Sequence, residues 1–207
     1  MTNPEIGRVL RASTAGFAIG SRVNQLTEPG FGSLVKAAPN GREAIYGLIY
    51  DILIDDDQLI QRLVMTESPR PEIIEDQRLN RMLPVEMSVL IIGYGRNGTI
   101  QHGFPPRPPL NLDPVHLCTD PDEICRFSEP NSQGMLSYLR LVLRAPLNRV
   151  PVDQLLVAHV LDVYERRGRD QVWAMAAVTE LIELLRSNYD LLIPTLEALS
   201  AALPEIV

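Results

Sequence analysis

The sequence predicts an α+β protein in which a small N-terminal β-barrel is followed by a C-terminal α-helical domain. Eleven of the thirteen glycines precede Phe104, so the residues that favour turns and bulges are concentrated in the first half. The same half contains short apolar runs separated by turn residues, a spacing typical of barrels and sandwiches. From Ser132 onward, apolar residues recur at the intervals of an amphipathic helix. We place the barrel over residues 5–125 and the helical domain over residues 130–207.

The barrel strands are predicted where β-branched and apolar residues lie between clusters of Gly, Pro and Asn. The last two strands before the proline-rich region are expected to form a hairpin, because Asn97-Gly98 between them favours a two-residue turn. In chain order, the predicted strands are residues 6–14, 16–23, 32–38, 44–54, 85–94, 99–104 and 115–118.

Two stretches between these strands have different patterns. Asp55, Asp56 and Asp57 precede an apolar pattern at 58–64 and are predicted to cap a short helix, followed by a helical or irregular segment up to Pro84. A cation site is the alternative for the three aspartates, but they lack the alternation of an EF-hand loop. The prolines of residues 105–109 remove N–H donors, so this run is expected to lie extended on the surface.

Helices are predicted at four places in the second half. Asp120-Pro121 is expected to start the first helix, since proline is favoured in the first turn. Asp170 is expected to cap a longer helix running to about Ser187, and Asp190 to start a final one. The clearest stripe comprises Val152, Leu155, Leu156, His159, Val160 and Val163, and the helix after Asp170 has apolar residues at Val172, Ala176, Leu181 and Leu185.

Charge and cysteine content exclude several classes of protein. A formal net charge of −7 and a pI of about 5.0 argue against direct nucleic-acid binding. Only Cys118 and Cys125 are present, which favours a reduced, cytoplasmic setting over a disulfide framework. We expect neither a signal peptide nor a membrane span, because the apolar runs are far shorter than the roughly 20 residues that a span needs.

The run Gly93-Tyr94-Gly95-Arg96-Asn97-Gly98 matches the dinucleotide-binding pattern G-x-G-x-x-G. That pattern binds a pyrophosphate only where a strand turns into a helix, and the residues after Gly98 cannot start one. We therefore interpret these glycines as part of a hairpin. The chain also has no Walker-type phosphate loop, so it is not expected to hydrolyse ATP by itself.

The three histidines and two cysteines do not have the paired spacing of a structural metal site, so no metal and no cofactor are expected. His159 lies on an apolar helix stripe, where a hydrogen-bonded core histidine is the simpler interpretation. An enzyme with a site at the junction of barrel and helices remains an alternative. Its candidate residues are His102, His116, Cys118 and Asp120, although no nucleophile–base pair is identifiable among them.

Arginines cluster at two places in the helical domain. Arg140, Arg144 and Arg149 flank one helix, and Arg166, Arg167 and Arg169 surround Gly168 in a helix–helix turn. Such clusters bind phosphate or a partner, but cations at a helix C-terminus also complement its dipole, and Gly168 is placed as the residue after a helix.

One family resemblance covers about residues 5–125. Ile6-Gly7-Arg8-Val9 opens the pattern, Phe31-Gly32-Ser33-Leu34-Val35-Lys36 follows a Pro-Gly turn, and residues 47–52 match G-x-I-x-D-I. A proline-rich connection then leads to residues 114–120 and an acidic helix start. This order resembles the HAS-barrel, the N-terminal barrel of HerA-type hexameric DNA translocases and of rotary ATP synthase subunits.

The resemblance implies a role in subunit assembly and partner docking. In HerA-type proteins the barrel leads into a P-loop ATPase domain, whereas helices follow here, so no catalytic residue is carried over. We therefore expect a non-catalytic assembly protein that docks to a HerA-like ATPase or its partner nuclease in DNA processing. A self-assembling structural protein is a further alternative. The residues expected at the contact are Phe31, Lys36, Tyr46, Tyr50, Arg166, Arg167 and Arg169.

Overall fold

The computed structural model describes residues 3–22, 29–38, 43–54, 65, 70–72, 84–145 and 150–203. The strands in this part are β1 (Glu5–Ala12), β2 (Gly16–Arg22), β3 (Leu34–Ala37), β4 (Ile45–Ile54), β5 (Pro84–Arg96), β6 (Thr99–Gln101) and β7 (Pro114–Leu117). Apart from a helical turn at residues 71–72, the helices in this part are α1 (Pro121–Phe127), α2 (Leu139–Leu143), α3 (Val152–Arg166), α4 (Gln171–Leu185) and α5 (Tyr189–Ala202). The predicted helix at 58–64 and the segment predicted before Pro84 lie outside the described residues.

Six of the strands close into an antiparallel barrel. Neighbouring strands follow the order β2-β1-β7-β3-β4-β5, and the pairing of β2 with β5 completes the cycle. β6 pairs with the end of β5 and lies outside the cycle. Register shifts bend β1 between Val9 and Arg11, and bend β4 at two places, which supplies the curvature that closure requires. The predicted fold class, a small barrel followed by helices, is confirmed.

The hairpin between β5 and β6 confirms the interpretation of the glycine-rich run. Arg96 pairs with Thr99, and the two residues between them, Asn97 and Gly98, have φ values of 50° and 77°. Two successive positive φ angles define the type I′ turn that suits a two-residue hairpin, and Asn-Gly tolerates them best.

The interior of the barrel is filled by side chains that alternate along the strands. One apolar cluster there is made entirely of strand residues, among them Phe17, Ile19, Val35, Met87 and Ile91. The residues between them on β3, β4 and β5 point outward, yet Leu34, Leu48, Leu90 and Ile92 are also buried. These four belong to a second cluster that continues into all five helices. The part of the barrel formed by β3, β4 and β5 is therefore buried on both faces, by the barrel interior on one side and by the helices on the other. This explains the continuous apolar runs of β4 and β5.

The helices follow the predicted periodicity in α3 and depart from it in α4. All six stripe residues of α3 are buried, and the C-terminal end of α3 passes into a turn at Gly168, whose φ is 71°. The Asp170 side chain caps α4 by accepting a hydrogen bond from the Trp173 amide at 3.0 Å. The buried face of α4, however, is centred on Trp173, Ala177 and Leu181, so Val172 points to solvent. Among the described residues, no helix has the length and apolarity to cross a membrane.

Candidate functional site

A buried carboxylate joins the barrel to α1. Glu123, in the first turn of α1, is only 6% exposed. Its oxygens accept hydrogen bonds from Lys36 Nζ at 2.7 Å, Tyr46 Oη at 2.8 Å and Asn3 Nδ2 at 2.5 Å. Lys36 and Tyr46 were predicted at a partner contact; the structure places both in this internal cluster, with their polar atoms bonded to Glu123.

The three donors decide the charge state of Glu123. Burial by itself would raise the pKa of this carboxyl group, but the hydrogen bonds from Lys36, Tyr46 and Asn3 and the positive charge of Lys36 lower it. Burial and the neighbouring Glu123 carboxylate raise the pKa of Tyr46, which keeps its phenol protonated as a donor. The cluster is therefore a satisfied ion pair that fixes α1 on the barrel wall.

Aromatic and imidazole rings fill the space beside this cluster. Phe127 contacts the rings of Tyr46, His102 and Tyr138, with centroid distances between 5.1 and 5.3 Å. His102 spans the junction, with Nδ1 at 3.1 Å from Ser137 Oγ and Nε2 at 2.9 Å from the Phe127 carbonyl. Burial lowers the pKa of His102, although the bond to Phe127 opposes this.

His159 connects α3 to the turn before β3. Its Nδ1 lies 3.2 Å from the Gly32 carbonyl, which can only accept, so Nδ1 donates and Nε2 accepts from Tyr138 Oη at 3.3 Å. Gly32 has φ +85°, and a Cβ there would lie 2.7 Å from the Cβ of Ala158. Only glycine allows the turn to approach α3 this closely. The interpretation of His159 as a hydrogen-bonded core histidine is confirmed.

Arg167, at the C-terminal end of α3, contacts residues at the end of α1 and at the start of α4. It pairs with Asp170 at 2.9 Å, donates to Ser128 Oγ at 3.0 Å and lies over the Trp173 ring at 5.5 Å. Trp173 Nε1 in turn donates to the Ser128 carbonyl at 2.9 Å. The guanidinium therefore holds the end of α1 against the start of α4.

The other predicted contact residues lie in different surroundings. Arg166 pairs with Asp162 one turn earlier on α3, and Arg169 pairs with the exposed Glu165. Tyr50 is half-buried beside the shared core. Phe31, in the turn that packs on α3, keeps 37% of its surface exposed.

The candidate residues for an enzyme are only partly brought together. His116 and Asp120 line a cleft of about 470 Å³ together with Lys36 and Glu123. Cys118 is fully buried beneath it, and burial raises the pKa of its thiol, which disfavours a reactive thiolate. His102 is bonded elsewhere, to Ser137 and Phe127.

Sequence reasoning missed an exposed apolar surface on the barrel, which we call the outer barrel patch: Leu10, Leu110 and Leu112. The Leu112 amide donates to the Val9 carbonyl at 2.8 Å, so the 110–113 turn is fixed beside β1. Leu112 is 68% exposed and has φ 68°, a conformation that is uncommon for leucine. In the sequence, the only feature that points to this patch is the pair of leucines, Leu110 and Leu112, that follows the proline run.

A second missed surface is a groove of about 830 Å³ between α4 and residues 133–140, which we call the α4 groove. Met135, Val172, Met175, Ala176 and Leu184 supply its apolar lining, with Glu180 among them. Val172 and Met175 are 82% and 57% exposed. Val172 belongs to this lining because the buried face of α4 is centred on Trp173, Ala177 and Leu181 instead.

No protein-family model matches the chain, and no curated protein matches it in sequence. The described part of the chain presents two exposed apolar surfaces, the outer barrel patch and the α4 groove, and a junction whose polar groups are largely bonded to one another.

Proposed function

We propose that this chain is a non-catalytic assembly protein that docks through its barrel to a HerA-like hexameric ATPase or to the nuclease that works beside one in DNA processing. The partner class rests on the sequence resemblance to the HAS-barrel. The observation that carries the docking role is the outer barrel patch, in which three leucines on β1 and the adjoining 110–113 turn are exposed to solvent.

The closed barrel supports docking through side chains rather than through strand addition. All six strands of the cycle have a partner on both sides, so the cycle itself offers no free edge among the described strands. Leu112 supports a docking role as well. Its left-handed backbone conformation costs free energy, and its exposed side chain gains no compensating burial within the chain. Strained, exposed apolar residues are typical of binding surfaces.

The patch has a charged rim on its β1 side. Arg8 donates to the Leu112 carbonyl at 3.1 Å and pairs with Glu5 at 3.1 Å, and Arg11 pairs with Glu86. An apolar centre with a polar, solvent-accessible rim is the usual anatomy of a protein interface.

The test uses the tagged full chain in its native host, with quantitative mass spectrometry of the captured proteins. We expect a P-loop ATPase or a nuclease at near-stoichiometric amounts, and at least about tenfold less of it with Leu112→Asn/Leu110→Gln. Asparagine suits a positive φ, so this variant should keep or raise the melting temperature.

Ile193→Asp is the matched control, because Ile193 is a similarly exposed apolar residue on α5. Capture of the same partner by wild type and by the patch variant would contradict a docking role for the patch. Recovery of the chain alone as a defined oligomer would replace the proposal with self-assembly.

A further inference from the structure

The tip of the β5–β6 hairpin brings together two groups that can react with each other. Asn97 and Gly98 are both exposed, and a Cβ added at Gly98 would meet no atom within 4 Å. The Asn97 amide donates to the Glu43 carboxylate. Within the described part of the chain, the Asn97 carboxamide and the Gly98 N–H have no hydrogen-bond partner. Neither group is therefore held away from the other by a bond to the rest of the barrel.

The reaction open to this pair is the closure of a cyclic imide. The Gly98 nitrogen attacks Asn97 Cγ, so that an N–Cγ bond forms and the Cγ–Nδ2 bond breaks, and the Gly98 amide proton leaves with the Nδ2 group as ammonia. Glycine favours this step because no side chain shields its nitrogen. Water then opens the imide. Attack at Cγ gives aspartate at position 97, whereas attack at the main-chain carbonyl carbon gives isoaspartate, in which the chain continues through Cγ.

Three other described asparagines are less suited to this chemistry. The amide that follows Asn111 is that of Leu112, and it is bonded to a barrel carbonyl at 2.8 Å. The carboxamide oxygen of Asn131 accepts from two backbone amides, at 2.9 and 3.0 Å. The nitrogen that follows Asn188 belongs to Tyr189, whose side chain hinders the attack. Sequence and hydrogen bonding therefore single out Asn97 among these four.

We propose that Asn97 is a site of spontaneous deamidation, at which the folded chain converts to aspartate and isoaspartate at the tip of the hairpin. The type I′ turn restrains the approach of the Gly98 nitrogen, so the reaction proceeds when the tip opens locally. The bond from the Asn97 amide to Glu43 opposes that opening and slows the conversion. The overall change consumes one water, releases ammonia and needs no cofactor.

Both products change the end of the hairpin. A carboxylate at position 97 places a second negative charge near that of Glu43, and like charges at this distance repel. Isoaspartate also adds one carbon to the main chain inside the turn. A two-residue turn that pairs Arg96 with Thr99 cannot keep its geometry with this insertion. We therefore expect the modified chain to be less stable than the unmodified one.

The experiment follows the full chain during incubation in heavy-oxygen water at neutral and mildly alkaline pH. Pepsin digestion in acid, where imide formation is slow, and electron-transfer mass spectrometry locate the product and distinguish aspartate from isoaspartate. We expect Asn97 to convert at least about tenfold faster than Asn111, Asn131 and Asn188, with both products present. Asn40-Gly41 lies outside the described residues and is followed through its own peptide.

Two variants test the structural part of the proposal. Asn97→Gly is the unreactive control, because Gly-Gly also suits a type I′ turn. After incubation, the melting temperature of wild type should fall by about 2–4 °C more than that of Asn97→Gly. Glu43→Gln should convert at Asn97 at least about twofold faster than wild type, because a neutral amide accepts a weaker hydrogen bond than a carboxylate.

The chain unfolded in guanidinium chloride serves as the reference, because its conversion shows that the assay detects the product. The inference is overturned if Asn97 stays an amide in the folded chain while the unfolded chain converts. It is equally overturned if Asn111, Asn131 and Asn188 convert as fast, or if aspartate forms without isoaspartate. The reaction needs no partner, and the Leu112→Asn/Leu110→Gln variant should convert at position 97 at the wild-type rate, so this inference and the docking proposal fail independently.

Discussion

At the scale of single residues, the junction of barrel and helices depends on one neutral imidazole. His159 is fully buried, donates to the Gly32 carbonyl and accepts from Tyr138. A protonated ring would carry a hydrogen on both nitrogens and could no longer accept from Tyr138. Burial lowers the pKa of His159 from 6.5 to about 4, although Asp162 and the bond to Gly32 oppose the shift.

This lowered pKa predicts a loss of stability in acid. The unfolded chain binds a proton near pH 6.5, whereas the folded chain does so only near pH 4. The stabilisation is therefore complete above pH 6.5, falls as the pH decreases toward 4, and amounts to about 3 kcal/mol over that window. We expect urea unfolding of His159→Gln at several pH values to show a smaller pH dependence than wild type. Identical pH profiles for the two proteins would contradict this assignment.

At the scale of elements, α1 is held on the barrel by the cluster around Glu123. The side chains of Lys36 and Glu123 are only 20% and 8% exposed, so solvent screens this ion pair weakly. The exposed pair between Arg186 and Glu183, at 76% and 65%, is screened strongly. The contribution of an ion pair to the stability of an element therefore depends on how far its two side chains are buried, and the number of ion pairs is a poor guide.

We therefore predict that Lys36→Met lowers the free energy of unfolding by about 2–3 kcal/mol, because it leaves Glu123 buried without its cation. Lys36→Met/Glu123→Met should recover much of that loss, since it removes both charges. Urea unfolding at pH 7 measures both effects. Arg186→Met serves as the surface control and should change stability by less than about 1 kcal/mol; an equal effect of the two single substitutions would refute the distinction.

At the scale of the whole molecule, barrel and helices share one apolar cluster. It includes Leu48 and Ile92 from the barrel wall, Phe127 from α1, Val160 from α3 and Leu199 from α5. The predicted division of the chain at residues 125–130 therefore separates strands from helices along the sequence. In the folded protein, side chains from both sides of that division pack in the same apolar cluster. A barrel without its helices would expose an apolar wall to water.

This shared cluster predicts a single cooperative unfolding transition. Trp173 is the only tryptophan, is 2% exposed and lies in α4, so its fluorescence reports on the helical part. Far-ultraviolet circular dichroism reports on strands and helices together. We expect the two urea titration curves to coincide, with equal midpoints and slopes. A separate, earlier transition of the fluorescence signal would show that the helices unfold independently of the barrel.

Local patterns were sufficient for most elements, whereas contacts between distant residues were not predictable. The apolar run of β4, the Asn97-Gly98 turn and the stripe of α3 involve neighbours within a few residues, and each was predicted correctly. In α4, by contrast, apolar residues occur all around the helix, so periodicity could not decide that Trp173 is buried and Val172 exposed. The contact residues predicted from the barrel motifs stay a prediction.

The sequence by itself determined the order of strands and helices, because hydrophobic period, caps and turn residues act over short distances along the chain. Only the tertiary structure decided that β2 pairs with β5 to close the barrel. It also decided that Glu123 meets Lys36, whereas Glu180 meets no cation among the described residues. These outcomes depend on which distant residues are brought together and on how much water is excluded around them. The spacing of residues along the chain determines neither of the two.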